Sequence, residues 1–148
     1  MSDVIEKIIP VNPFIKIPME ALQAARDLIS DKVAHDSIII DTSDSPVFVD
    51  CGGNLESITC PKCGAQISFD TWGELMDQAY ESSFLDLDVM LPCCNSKESL
   101  NNLKYNYECG FSSCVISVLN PQKPIDDELR ESIESLLRTK IKVVYANI

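Results

Sequence analysis

The chain has 148 residues, 45% hydrophobic and 24% charged, which fits one globular domain able to bury a core without staples. No apolar run approaches the roughly 18–20 residues needed to cross a bilayer, and the start, MSDVIEKIIP, lacks the basic and apolar regions of a secretory signal, so a cytosolic protein is expected. Twelve Lys and Arg against 23 Asp and Glu give a formal net charge of −11, which opposes binding to nucleic acid or to anionic membranes and leaves a protein partner as the open class.

In chain order, IIPVNPFIKIP (8–18) mixes apolar residues with Pro10, Pro13 and Pro18 and reads as an edge strand or an irregular extended segment. Leu22, Ala25, Leu28, Ile29 and Val33 recur at helical spacing, which predicts a helix over 19–33. Two short apolar runs, 38–41 and 46–50, are split by TSDSP and predict a hairpin, followed by a turn at CGGN. A strand near 56–60 and its partner at 65–69 bracket CPKCG. The next helix begins near Thr71, which with Glu74 matches a capping box, and Trp72, Leu75, Met76, Ala79 and Phe84 mark its apolar face. LDLDVML, a turn at Cys93–Cys94 and the polar run NSKESLNNL lead to a predicted strand pair at 103–109 and 113–119. Ile125, Leu129, Ile133, Leu136 and Leu137 then define an amphipathic helix with Asp126 as N-cap, and IKVVYANI closes as a strand. The order predicts an α+β fold over 1–148: two βαβ units in a ferredoxin-like arrangement, flanking an inserted segment at 51–108.

The seven cysteines are Cys51, Cys60, Cys63, Cys93, Cys94, Cys109 and Cys114. An odd number in a reducing compartment argues against a disulfide framework and for metal binding. In CPKCG, cysteines at i and i+3 can face one side of a tight turn, with Pro61 setting its start and Gly64 its exit. Backbone N–H groups in such a turn can support the thiolates. A tetrahedral Zn2+ needs a second pair. The single histidine, His35, is expected to be an ordinary surface residue. LPCCNSK is the favoured source, because adjacent cysteines in a turn can converge where those in a strand point apart. The predicted metal set is therefore Cys60, Cys63, Cys93 and Cys94, with Cys109 or Cys114 as the rival to Cys94 for the fourth place. Cys109 with Cys114, and Cys51 with one of the other cysteines, are the remaining candidate pairs; otherwise all three read as small buried hydrophobes, with a reactive thiol beside Gly52–Gly53 as the alternative for Cys51. A redox reading of CPKC needs the pair at a helix start, whereas strand-like AQISF follows it. Asp44, Asp50, Asp86 and Asp88 read as scattered surface acids. The P-loop, dinucleotide-binding, zincin and nucleophile-elbow motifs are all absent.

Cys-Pro-x-Cys-Gly at 60–64 resembles a zinc knuckle of the zinc-ribbon type. Together with FVDCGGN, WGELMDQAY, PCC and SLNNLKY, it resembles a group of small, uncharacterised bacterial proteins carrying a zinc-ribbon-like insert. That resemblance implies a metal site in a compact α+β domain and assigns no activity. Two roles follow. In the first, four protein ligands close the Zn2+ sphere and the protein is a binding or interaction module. In the second, a thiol-dependent or zinc-dependent enzyme uses an open coordination position or a free thiol at Cys93/Cys94.

Overall fold

The computed structural model describes residues 3–148, and its centre is a four-stranded antiparallel sheet. The elements in chain order are β1 (Val4–Pro10), α1 (Met19–Lys32), β2 (Ser37–Val49), β3 (Ile58–Thr59), β4 (Gln66–Ile67), α2 (Phe69–Tyr80), β5 (Asp88–Leu91), β6 (Ser96–Ser99), β7 (Lys104–Tyr105), β8 (Gly110–Leu119), α3 (Asp127–Leu137) and β9 (Ile141–Asn147). The large sheet runs β2-β8-β1-β9. Because β8 is antiparallel to both β1 and β2, those two strands are parallel with one strand between them, and α1 is the crossover. In the same way β8 and β9 flank β1, and α3 crosses from one to the other.

Both crossover helices cover one face of this sheet. Leu22, Ala25 and Ile29 of α1 and Leu129, Ile133 and Leu137 of α3 recur every three or four residues, so each set forms one stripe. The stripes pack on Ile8, Cys114, Ile116 and Val118 of the central strands. At the start of α3, the Asp126 carboxylate accepts the Leu129 N–H at 2.8 Å, as the sequence predicts. β8 is buried at every position from Gly110 to Ile116, so the alternation of a half-buried strand is missing. Its second face is covered in part by the segment between β2 and β8.

Four features depart from the sequence reading. Within 8–18, residues 11–18 are irregular, one of the two alternatives expected, but residues 8–10 end β1, an interior strand rather than an edge, whose only proline is the last residue, Pro10. Residues 37–49 form one strand instead of a hairpin: Ser37–Thr42 and Val47–Val49 both pair with β8, and the register shifts between Thr42 and Val47. The excursion carries Pro46, a residue that sheets confine to edges and bulges. Lys16 Nζ holds it by donating to Asp44 O at 2.6 Å. The helix α2 is capped by Ser68, whose Oγ accepts from Thr71 N at 3.2 Å, in place of a Thr71–Glu74 box. Finally, β7 pairs with β3, while β8 joins the large sheet, so the expected pair at 103–109 and 113–119 does not form.

The segment from 51 to 108 has an interior of its own, with small sheets β4-β3-β7 and β5-β6. Ile58, Ile67, Leu75, Ala79, Val89, Leu91, Leu100 and Leu103 are among its buried residues. Trp72 and Tyr105 link α2 to β7: Trp72 Nε1 donates to Tyr105 Oη at 3.3 Å, and Tyr105 Oη donates to Leu100 O at 2.8 Å. The segment leaves β2 through Gly52, at φ +62, where a Cβ would lie 2.4 Å from Asn147 O, so glycine alone fits this close approach.

Glu6 is the only acidic or basic side chain buried among the described residues, 3% exposed, and it accepts the Ile125 N–H through Oε2 at 3.2 Å. Desolvation by burial raises its pKa above the ordinary carboxylate range, against a lowering by that hydrogen bond. The folded state therefore holds the proton more tightly than the unfolded chain. Above the unfolded pKa, near about 4.3, ionisation of Glu6 works against folding. Glu6→Gln, which keeps an acceptor for Ile125, is expected to be more stable than the wild type at pH 7, with the gap closing as pH falls toward 4. Urea titrations at several pH values measure this; a gap independent of pH would be inconsistent with it.

Candidate metal centre

Two β-hairpins bring their tips together. The first is β3–β4, with Ile58 opposite Ile67 and Thr59 opposite Gln66. Ile58 and Ile67 turn inward and anchor it in the interior of the segment. The chain reverses over Cys60–Ala65: Cys60 N donates to Ala65 O at 2.8 Å and Gly64 N to Cys60 O at 3.0 Å. Gly64 sits at φ +78, a conformation that favours glycine. The second hairpin is β5–β6, where buried Val89 and Leu91 alternate with exposed Asp88 and Met90.

Its turn repeats the first one. In LPCCN, Asn95 N donates to Leu91 O at 2.8 Å and Asn95 lies at φ +55. Asparagine tolerates this left-handed position better than most residues. Aligned on the turn, Leu91 stands where the first hairpin has Cys60, Pro92 matches Pro61, Cys94 matches Cys63 and Asn95 matches Gly64. The first cysteine of a C-x-x-C pair is thus replaced by a core leucine. The other cysteine of this turn is Cys93, at the position of Lys62. Two adjacent cysteines in this turn thereby bring their sulfurs to the same cluster as the i and i+3 pair of the other.

The four sulfurs lie within 4.8 Å of one another. Cys60 and Cys94 Sγ are 3.8 Å apart, Cys63 and Cys93 3.5 Å, and Cys93 and Cys94 3.9 Å. A tetrahedral ion with bonds of about 2.3 Å to sulfur sets its ligand atoms about 3.8 Å apart, so the cluster has the size of a four-thiolate sphere. Cys60 is buried, Cys94 half-buried, and Cys63 and Cys93 are at the surface. An ion pair at 3.8 Å, from half-exposed Lys62 to largely buried Glu98, joins the two hairpins.

The electrostatics favour the first deprotonation. The backbone N–H groups of Cys63 and Lys62 point at Cys60 Sγ, at 3.4 and 3.3 Å. The Cys63 N–H is the larger influence, and together with neighbouring thiols these donors bring Cys60 down to about 6, against a raising by desolvation. Cys93 moves the other way, to about 12, through desolvation of its sulfur, hydrogen bonds to the other three thiols and the charge on Cys60. One thiolate forms readily among these sulfurs and further negative charge is resisted, which is the environment a divalent cation relieves.

The other candidates fall elsewhere. His35 is half-buried between α1 and β2, with Nδ1 2.8 Å from Val33 O. Cys114 lies inside β8 among the residues under the helices, so it cannot share a site with Cys109 at a hairpin bend. Instead Cys109 meets Cys51, with sulfurs 3.3 Å apart, a combination the sequence offered only as a second pair of metal ligands and which is not part of the four-sulfur cluster. CPKC leads into β4 and not into a helix start, so the helix-dipole activation of a thioredoxin-type pair is missing. The acids are engaged locally: Asp86 caps Asp88 N at 3.1 Å, and Asp50 accepts from Gly52 N at 2.8 Å.

Comparison with protein-family models, with curated proteins and with solved structures finds no match to the chain. No helix among the described residues is long and apolar enough to cross a membrane.

Proposed function

We propose that Cys60, Cys63, Cys93 and Cys94 hold one structural Zn2+, and that the protein is a binding or interaction module whose insert is fixed by that ion. The observation that carries this reading is the convergence of four sulfurs within 4.8 Å at the tips of two hairpins. Thiolates select soft or borderline ions, and a closed set of four suits structural zinc. With all four places taken by protein, no position is left for a reacting water, which weighs against metal catalysis. The split crossover order β2-β8-β1-β9 supports a ferredoxin-like scaffold within one domain of 148 residues, carrying 51–108 as a zinc-ribbon-like subdomain. The resemblance to small bacterial proteins with such an insert rests on the cysteine motifs. Free thiols suit a reducing cytoplasm. The charge of −11 favours a protein partner over nucleic acid.

Native and denaturing mass spectrometry, with site-resolved alkylation before and after chelation, tests the assignment. One zinc per folded chain is expected, with Cys63 and Cys93 unlabelled at first despite their exposure. Chelation should then open all four sites to label. Three protected thiols with an exchangeable water would shift the reading to an enzyme working at Cys93/Cys94. A metal-free chain that labels at once would remove the site.

A further inference from the structure

A second sulfur pair lies away from the hairpin tips. Cys51 follows the end of β2 and Cys109 precedes the start of β8, so they sit where the insert leaves the large sheet and rejoins it. The last ladder pair there is Val49 opposite Gly110. Cys51 is 0% and Cys109 1% exposed, and Cys109 Sγ donates to Cys51 Sγ at 3.3 Å. Ile9, Val49, Val115 and Val144 surround them. The backbone on the Cys51 side is pinned by the C-terminal strand: Asn147 N donates to Cys51 O at 3.4 Å, and Gly53 N to Asn147 O at 2.9 Å.

We propose that Cys51 and Cys109 are a redox modification site, forming a reversible disulfide that closes the neck of the insert when a low-molecular-weight disulfide such as oxidised glutathione is in excess. One cysteine thiolate attacks a sulfur of the oxidised glutathione, releasing one glutathione thiolate and leaving a mixed disulfide. The second cysteine, losing its proton to solvent, attacks the protein sulfur of that mixed disulfide and releases the second glutathione. Two protein thiols are oxidised and one glutathione disulfide is reduced to two thiols. The sulfurs need to close to about 2.05 Å, a movement available to side-chain rotation from contact. Isolated buried cysteines act as small hydrophobes; two with their sulfurs in mutual contact, just beyond the ends of two paired strands and 58 residues apart in sequence, can also be cross-linked.

Burial governs the rate. Desolvation pushes Cys109 up to about 12, so little thiolate exists at neutral pH while the neck is closed. Exchange in the folded chain is therefore slow and follows opening of the neck.

The test uses the full chain with zinc in a glutathione redox buffer, both folded for an extended incubation and refolding from urea. Free thiols are blocked with N-ethylmaleimide, and peptides are mapped without reduction. The expected product joins the peptides of Cys51 and Cys109, about 2 Da below their reduced sum, and reverts with dithiothreitol. A link seen only after refolding also supports the site, with burial as the kinetic barrier. The cross-linked chain is expected to melt several degrees higher, because a long loop is closed. Cys51→Ala should lose both the link and the shift, and Cys114→Ala should keep them. Separate blocked peptides of Cys51 and Cys109 in both arms, or links scattered among other cysteines, would overturn the proposal.

Discussion

Cys60→Ser is expected to abolish stoichiometric zinc retention while leaving the large sheet folded. Cys60 is the most buried of the four candidate ligands, and its sulfur receives two backbone N–H groups. Serine brings a weaker, harder donor with a far higher pKa, so affinity for a thiophilic ion should fall by at least on the order of 100-fold. The second consequence is local. The tips at 60–65 and 92–95 meet at the sulfurs, and the adjacent Lys62–Glu98 ion pair, with Lys62 half exposed, contributes about 1 kcal/mol or less. Amide exchange there should rise sharply, whereas β1, β8 and β9 keep their protection. The interior around α2 should persist in part, because Leu75, Ala79, Leu91 and Leu100 are buried in an apolar cluster of their own. Hydrogen exchange and metal analysis on the same sample measure both effects. Unchanged zinc content would contradict the assignment of Cys60.

Phe111→Ala should be the most destabilising single core change away from the cysteines, at about 3–5 kcal/mol. Phe111 is fully buried and heads the largest buried side chains. It lies on β8 opposite Phe48, with ring centroids 5.2 Å apart, and Phe84 from the insert packs on it at the same distance. Its ring therefore joins the large sheet to the insert, and alanine would leave a cavity bounded by rigid strands. Trp72, the single tryptophan, packs edge-on against Phe48 at 5.4 Å and reports on that junction by fluorescence. Chemical denaturation followed by Trp72 emission and by circular dichroism should show a large fall in midpoint with both probes. A loss below about 1 kcal/mol would mean the junction contributes little.

What could be read from the sequence was local. α1, α3 and β9 follow from periodicity and a cap within a few residues, and the β3–β4 hairpin follows from CPKCG and its flanks. The misreadings come from long-range pairing. TSDSP has turn composition, yet β8 pairs with both sides of it and makes it a bulge. The strand expected at 103–109 survives only as the two-residue β7, and its partner is β3 rather than the segment that follows it, a choice no local signal makes. The Cys51–Cys109 contact depends on the β2–β8 register, which cannot be read from either cysteine's neighbours. The convergence of Cys60, Cys63, Cys93 and Cys94 was legible because turn chemistry and ligand number constrain one another: one knuckle offers two thiols, and a tetrahedral ion would ask for a cysteine pair from another turn. The insert proved richer in apolar packing than its polar runs suggested. Its leucines and isoleucines are spread over α2, β3–β5 and the turn at 100–103, where no single window reveals a common core.

The most direct measurement is zinc-edge X-ray absorption of the purified full chain. Four sulfur neighbours at about 2.3 Å, with no oxygen or nitrogen in the first shell, is the expected result. A shell containing nitrogen or oxygen, or a chain that retains no zinc, would contradict four cysteines closing around a single ion.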